Sequence, residues 1–434
     1  MLTAGQPSGI ARRRWSVEPA APAWQRRAGL RWRTVECMGV VLALFIQTGA
    51  ITVLAFSGPG GYLTDSGRSM LQLLALPGYL VTLILLARRP AQFLAALRGN
   101  IWVTLLLSMT VVSVLWSISP SISLRRAIGL VLSLLVAYLI AIRFTPRQFF
   151  IMVILLLGAC MVLSLAMMVA LPGWARMPDS GELRGVFSHK NVLGWNAAIA
   201  ALAAAAVATD RAAGIRRLAI SVFAVSIACL LLSQSSTGLV TAVSTGIFAL
   251  FYKLLGRTRG LGRVVLILLV VQVVAATVVS MDLLLGVVLE GTDKDASLTG
   301  RVPLWMMVDE AISNRLLLGY GFQAFWTDGS GDAWAIWTRL GWMAPHAHNG
   351  YRDALLSVGL VGTVLLIIVI LRALRDGARL HCRFPAEQWL WINAIICVTL
   401  VMNLTESTLL MQNSFQFTIF MTAVLMISCR KQEL

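Results

Sequence analysis

Long apolar runs dominate the chain and are separated by short segments that hold most of its charges. The hydrocarbon core of a bilayer, about 30 Å thick, takes roughly 20 apolar residues per helix. The pattern therefore predicts an all-α fold, a polytopic membrane helix bundle with about 12 transmembrane helices. The predicted spans are residues 35–56, 69–87, 101–117, 125–142, 148–171, 191–209, 216–234, 237–255, 264–289, 351–371, 388–405 and 413–429.

Composition agrees with this prediction. Hydrophobic residues make up 58% of the 434 residues and charged residues 13%, too little charge to cover a soluble domain of this length. The net charge of +17 does not indicate nucleic acid, because the charges alternate with apolar runs and form no binding face. The six cysteines fall in spans or in predicted cytoplasmic connections, so we expect no disulfide framework.

The basic residues predict the orientation of the chain. Residues 1–34 carry seven arginines and form a basic cytoplasmic tail, and connections on the same side hold most other Lys and Arg residues. Because basic residues stay on the cytoplasmic side, both termini are predicted to be cytoplasmic. Residues 35–430 then form the transmembrane domain, and two long connections, 172–190 and 290–350, face outward.

The longer outward connection contains a predicted helix in "SLTGRVPLWMMVDEAISNRLLLGYG". Ser297 or Thr299 could cap this helix, Pro303 fits its first turn, and Gly319 and Gly321 would end it. We expect the helix to lie along the membrane interface. Its predicted apolar stripe consists of Val302, Trp305, Met306 and Ile312.

Basic residues on the outer side are exceptions to the preference of Lys and Arg for the cytoplasmic side, and they need another explanation. They are Arg125, Arg126, Arg184, His189, Lys190 and Arg301. If they converge, they form a cationic pocket suited to phosphate, since the arginine fork makes paired, charge-assisted hydrogen bonds. Each arginine could instead extend to a lipid headgroup. Lys190 and Asn191 could bind an anion at the start of the sixth span, and Asn191 could cap that helix.

Two of the four histidines, His346 and His348, precede the tenth span in "HAHNGYRDALL". No neighbour has ligand spacing, so a metal site is not predicted. The pair His348–Asn349 opens the span, where His348 could act as a general base or remain solvated at the headgroup level. Glu406, at the outer end of the eleventh span, is expected to pair with an arginine or to position the histidine. His381 is expected to be solvated in a cytoplasmic connection.

Several motifs occur in a fixed order: "WSISPSISLRR", "RGVFSHKNVLG", "LTGRVPLW" with "LLGYGFQAFW", "HAHNGYRDALLSVGLVG" and "NLTES". From about residue 110 to 415 they resemble the O-antigen ligase/polymerase superfamily, most closely its exopolysaccharide-polymerase branch, the succinoglycan-polymerase-like proteins. The resemblance implies a type C membrane glycosyltransferase without metal or cofactor. It further implies a bacterial cytoplasmic membrane, a periplasmic active site and a glycan donor on undecaprenyl diphosphate.

The resemblance also implies roles for individual residues. His348 matches the histidine that activates the acceptor hydroxyl, and Arg184 and Arg301 match the arginines that hold the leaving diphosphate. Relatives often carry a basic residue after the seventh span, where this chain reads "LSQSSTGLV". Lys190 could supply that charge instead. Direct displacement at the anomeric carbon would invert its configuration.

Three functions are compatible with this sequence. The first is a polymerase that joins lipid-linked repeat units into an exopolysaccharide or O-antigen, and the second is a ligase that transfers finished glycan to lipid A-core or protein. The third is a polysaccharide or lipid transporter, which would place ionisable residues near the membrane midplane, whereas here they crowd the outer boundary. The implied partners are the lipid-linked donor, a glycan acceptor and membrane lipid, with a flippase and a chain-length regulator as candidates, and no nucleic acid.

Overall fold

The computed structural model describes residues 23–51, 65–178, 180–279 and 301–430, and within them regular structure is helical apart from one isolated bridge between Arg176 and Leu183. The basic tail to residue 22, the end of the ninth predicted span and residues 280–300 lie outside the described residues. The helices are α1 Ala23–Thr48, α2 Asp65–Ala87, α3 Pro90–Gly99, α4 Ile101–Val112, α5 Pro120–Arg143, α6 Pro146–Ala170, α7 Lys190–Thr209, α8 Arg216–Ser233, α9 Ser236–Arg257, α10 Leu261–Val279, α11 Arg301–Asn314, α12 Gly331–Leu340, α13 Gly350–Arg383, α14 Trp389–Met402 and α15 Phe415–Arg430.

Six described helices, α5 to α9 and α13, are long and apolar enough to cross a membrane. Residues Leu73–Ala87 of α2 and the whole of α3 meet at 95° and would together make a seventh crossing. The protein is therefore an all-α polytopic membrane protein. A described helix overlaps each of the twelve predicted spans, but α14 and α15 are short, so the count of twelve stays a prediction.

Helix α7 lies at the centre of the bundle because its alanine-rich sequence lets neighbouring helices approach closely. It packs against α6, α8 and α9. At its crossing with α9, a Cβ added to Gly238 would lie 2.7 Å from the carbonyl carbon of Gly194. This close contact holds the tight turn between α8 and α9, where Gln234 has a φ of +49°. The position of this turn sets the position of Thr237.

The connections at the end of the bundle predicted to face outward, here called the outer end, are bonded to one another. The guanidinium of Arg126 on α5 donates to the carbonyl of Gln323, whose amide donates to the carbonyl of Leu410 at 2.7 Å. The backbone N–H of Leu183 donates to Leu232 O at 3.1 Å. The connections that contain Gln323 and Leu410 are therefore joined to each other, and the connection before α7 is bonded to α8.

The outward connection has its own hydrophobic core, built mainly from residues between 304 and 347. The predicted helix is present as α11, but its buried stripe differs from the prediction, because Val302 is 37% and Met306 70% exposed. Trp305 and Ile312 are buried as predicted, and Leu304 and Val308 fill the core in place of Val302 and Met306, at the spacing of one helix face. The helix ends at Asn314, before the glycines, and both predicted caps lie outside the described residues.

A kink in α13 binds this connection to the bundle. Gly359 has a φ of +63°, and an added Cβ would lie 2.3 Å from the carbonyl oxygen of Leu317. The kink interrupts the hydrogen bonds within the helix, and the backbone groups that lose their partners bond to the outward connection. Leu360 N–H donates to Leu316 O at 2.8 Å, and Tyr320 N–H donates to Leu356 O at 2.7 Å. The start of α13 is thereby fixed against the connection that precedes it.

At the other end of α13, His381 is buried rather than solvated as predicted. Its Nε2 lies 2.7 Å from the carbonyl oxygen of Tyr252. The prediction was wrong because α13 continues to Arg383, which places His381 on a helix face packed against α9.

Candidate functional site

A buried turn carries Glu406 to the outer end. Helix α14 stops at Met402, and the fully buried side chain of Asn403 accepts hydrogen bonds from Thr408 N–H at 2.8 Å and Leu409 N–H at 2.9 Å. These bonds shape the turn, because each backbone donor would otherwise be buried without an acceptor. Glu406 therefore lies in the turn directly after α14, 3% exposed, at the outer end of the eleventh predicted span.

The two carboxylate oxygens of Glu406 face different partners. Oε1 lies 3.7 Å from Nη2 of Arg301 and accepts a hydrogen bond from Thr237 Oγ1 at 3.4 Å. Oε2 lies 3.8 Å from Nδ1 of His348. A buried carboxylate is costly unless a cation compensates its charge, and Arg301 supplies that cation. Both alternatives expected for Glu406, pairing with an arginine and contact with the histidine, are present together.

Arg301 is the first residue of α11, an unfavourable place for a cation because a helix N-terminus carries partial positive charge. Its position is explained by its contacts. Besides Glu406, it donates from Nη1 to the carbonyl oxygen of Thr405 at 3.0 Å. The guanidinium is thus held in place by the same turn that carries the carboxylate.

His348 is held in a conformation that few residues adopt. Its φ is +50°, in the left-handed region, which costs a non-glycine residue about 1 kcal/mol. Its N–H donates to Nδ1 of His346 at 3.2 Å, and the preceding N–H of Ala347 donates to the Asp353 carboxylate at 3.0 Å. The following residue, Asn349, caps α13 by accepting from two backbone N–H groups. The neighbours on both sides therefore compensate the strain.

The imidazole of His348 is 21% exposed, but its Nδ1 is enclosed and has no hydrogen-bond partner among the described residues. The ring of His346 lies 4.2 Å from it. Burial, the His348 charge and Arg301 lower the pKa of His346 to about 3, so this ring is neutral near pH 7 and keeps the lone pair that accepts the His348 N–H.

His346, His348 and Glu406 offer ligand-type atoms that all lie within 4.8 Å of one another. Sequence spacing missed this group, because Glu406 comes from a different helix connection. The donor set is already in use: Glu406 faces Arg301, and Nδ1 of His346 accepts a backbone N–H. The arrangement suits proton transfer better than cation binding, and metal independence stays a prediction.

His189 lies close enough to Glu406 and His348 to interact with both electrostatically. It caps α7 by accepting Asn191 N–H on Nδ1 at 3.2 Å, so the expectation that Asn191 is the cap was wrong. The charges of Glu406 and His348 both reach the His189 ring. Burial and Lys190 lower the pKa of His189, and Glu406 acts in the opposite direction.

The remaining predicted basic residues have partners of their own. Lys190 forms an ion pair with Glu182 at 2.9 Å. Burial alone would raise the pKa of Glu182, but hydrogen bonds from Ser180 and Lys190 lower it to about 2. Arg184 donates from Nε to the carbonyl oxygen of Trp174 at 3.0 Å.

The structure therefore brings only part of the predicted set together. Arg126 is bonded to the connection between α11 and α12, and Arg125 is exposed on α5. Within the described ranges, no hydrogen bond or ion pair joins Arg125 or Arg184 to Glu406. A single pocket containing all the outward basic residues stays a prediction. Asn349 was also predicted to bind substrate; its amide donates to Leu404 O at 3.2 Å and its carbonyl oxygen serves as the cap of α13, and its substrate-binding role stays a prediction.

Two site residues had weak signals in the sequence. Thr237, in "SQSSTG", contacts Glu406, and only its polar neighbourhood pointed to the outer end. Asp353 was overlooked, although a carboxylate in the first turn of an apolar span is an expensive residue that needs a reason. It binds the Ala347 N–H and the indole N–H of Trp326, and so supports the loop before His348.

Fold and site together define a polytopic membrane protein with a buried histidine–carboxylate–arginine group at one end. Residues 221–367 match the O-Antigen ligase family, and this match includes Arg301 and His348. The chain is 28% identical over 357 residues to "Exopolysaccharide production protein ExoQ" of Rhizobium meliloti (strain 1021), covering 77% of this chain and 75% of that one. Both similarities agree with the resemblance of the motifs to the O-antigen ligase/polymerase superfamily, and they support an exopolysaccharide-related function of the O-antigen ligase/polymerase type.

Proposed function

We propose that the protein is a polymerase. It joins repeat units carried on undecaprenyl diphosphate into an exopolysaccharide or O-antigen at the outer face of the bacterial cytoplasmic membrane. The contact among His348, Glu406 and Arg301 carries this proposal, because it combines a base, a group that stabilises the protonated base, and a fixed cation. The similarity to an exopolysaccharide production protein favours polymer formation over the alternatives.

In this mechanism His348 removes the proton from the acceptor hydroxyl. Since Nδ1 faces Glu406, Nε2 is the nitrogen that receives the proton. The acceptor oxygen then forms a bond to the anomeric carbon of the donor as the bond from that carbon to the diphosphate breaks, and the electron pair leaves with the diphosphate. Glu406 stabilises the imidazolium that results, as the carboxylate of a catalytic triad does. One displacement inverts the anomeric configuration.

Arg301 stabilises the departing diphosphate. Its Nη1 and Nη2 are each directed to one partner, and the other N–H groups of the guanidinium can bind an anion. A cation fixed before the reaction is effective because no reorganisation is needed when charge develops. His189, Lys190 and Arg184 line the neighbouring connection and can bind the second phosphate or the lipid-proximal sugar. The reaction needs no metal in this account.

The runner-up is a ligase that transfers finished glycan to lipid A-core or protein. It is favoured by the match to the O-Antigen ligase family and would use the same donor chemistry. A transporter is less well supported, because the buried charged group lies at the outer end of the helices and not at their middle.

The size distribution of lipid-linked and free glycan in cells lacking the protein tests the proposal. A polymerase predicts single repeat units on the lipid carrier and no polymer. Full-length polymer stranded on the carrier would instead identify a ligase. Repeat units that remain on the cytoplasmic face, in cells lacking the protein or carrying His348→Ala, would identify a transporter.

A further inference from the structure

The connection before α13 contains five tryptophans, and four of them donate the indole N–H to another residue of that connection or of α13. These four bonds run from Trp305 to Ala347 O, Trp326 to Asp353, Trp334 to Asp328 O and Trp337 to Ala344 O, at 2.8 to 2.9 Å. The fifth, Trp342, is 41% exposed and donates no hydrogen bond to any described residue. The indole is therefore partly exposed, and its N–H has no partner among the described residues.

Trp342 is placed beside the proposed base. Helix α12 ends at Gly341, whose φ of +75° reverses the chain and brings Trp342 over the histidines. The centroid of the Trp342 indole lies 6.2 Å from that of the His348 imidazole, with 49° between the ring planes. An exposed aromatic surface thus adjoins the group that would take the acceptor proton.

We propose that Trp342 forms the subsite for the acceptor sugar, an inference that rests on the proposed glycosyl transfer. The C–H face of a pyranose packs on an indole ring, and the indole N–H can donate to a sugar hydroxyl, which suits a side chain that is apolar over its body and polar at one edge. A sugar stacked on Trp342 would present a hydroxyl to the adjacent imidazole.

The contacts assign Trp342 to the acceptor and not to the donor. His348 must meet the acceptor hydroxyl, and Trp342 contacts the ring of His348. The diphosphate of the donor belongs near Arg301, which contacts the other oxygen of Glu406. The two substrates therefore approach the histidine–carboxylate pair from different sides.

An exposed tryptophan near a membrane could also serve as an interfacial anchor. Trp334 provides a matched control, since it lies in the same connection, is 47% exposed and has no ring contact with His348. Trp342→Leu keeps an apolar side chain but removes the aromatic face and the N–H. Trp342→Phe keeps the face alone, and Trp334→Leu tests anchoring.

The test uses the purified full chain in nanodiscs, and the probe is the one-repeat oligosaccharide released from the polymer that the cells make. Saturation-transfer NMR measures its binding without turnover, and acceptor KM and kcat are measured with lipid-linked donor. Loss of one stacking contact raises Kd and KM about 3- to 10-fold in Trp342→Leu, less in Trp342→Phe, with kcat within about twofold. Trp334→Leu is expected to match the wild type.

The inference is overturned if Trp342→Leu binds the oligosaccharide as the wild type does, if the wild type does not bind it, or if Trp334→Leu weakens binding equally. Full activity of His348→Ala would contradict the proposed function instead. Because binding is read without turnover, the two failures are distinguishable.

Discussion

Nδ1 of His348 lies 3.8 Å from Oε2 of Glu406, so the start of α13 and the turn after α14 meet at one pair of side chains. Neither residue has the other near it in the chain. In the proposed mechanism the carboxylate must be charged, because it would stabilise the histidine once the histidine carries the acceptor proton.

Replacing Glu406 by Gln tests that role. The amide keeps the size of the side chain and an oxygen for Thr237, but removes the charge. We expect kcat to fall about 100-fold, within the range attributed to a positioned acid–base pair. Glu406→Asp is the control that keeps the charge, and it should retain more activity than Gln. Equal activity in the wild type and Glu406→Gln, assayed in nanodiscs, would contradict the role.

The ion pair between Arg301 and Glu406 predicts a difference between stability and activity. Arg301→Gln leaves a buried carboxylate without its cation, so we expect the free energy of unfolding to fall by about 3 kcal/mol. The double variant Arg301→Gln/Glu406→Gln has no unpaired charge and should recover most of the lost melting temperature. It should remain inactive, because both charges take part in the proposed reaction. Recovery of activity together with stability would show that the pair is only structural.

The lowered pKa of His346 predicts a pH dependence of stability. The ring is neutral in the folded protein down to about pH 3, whereas an unfolded histidine binds a proton below about pH 6.5. Its contribution is therefore present above pH 6.5 and is lost as the pH falls toward 3, by up to about 1.4 kcal/mol per pH unit.

The matched variant is His346→Asn, which retains an acceptor for the His348 N–H but does not titrate. Melting temperatures in detergent between pH 4.5 and 7.5 should fall less steeply for this variant than for the wild type. Parallel curves would mean that His346 is not neutral in the folded protein.

Removal of metal should have no effect. Although three side chains with ligand atoms lie within 4.8 Å, the carboxylate faces Arg301 and His346 accepts a backbone N–H. Dialysis against EDTA is expected to leave both activity and melting temperature unchanged. Activity that is lost on dialysis and restored by zinc would show that this group binds a catalytic cation.

Much of the fold could be predicted from apolar run length alone, because a bilayer sets the length of a helix that crosses it. A described helix overlaps every predicted span. The ends of the helices were less predictable where a side chain shapes the backbone locally. Asn403 is an example, because its side chain ends α14 before Glu406. The kink at Gly359 could not be read from the sequence either, since it depends on a carbonyl from the connection near Leu317.

For the site, the useful signal in the sequence was a charged residue at a position where charge is unfavourable. Glu406 and Arg301 were singled out because a buried carboxylate and an outward arginine are both unfavourable alone, and the structure places them in contact. The roles of Asn349 and His189 as helix caps were not predicted, because a cap and a ligand-binding residue have the same polar signature before a helix. The strained backbone of His348 leaves no trace in residue type.

The most direct test of the central claim is glycosyl transfer by the purified protein in nanodiscs, with lipid-linked repeat units as the substrate. His348→Ala is compared with His346→Asn, which alters the neighbouring ring but not the proposed base. The account predicts no polymer with His348→Ala, activity within about threefold of the wild type with His346→Asn, and the inverted anomeric linkage in the product. Polymer formed at the wild-type rate by His348→Ala, or a retained linkage, would contradict it.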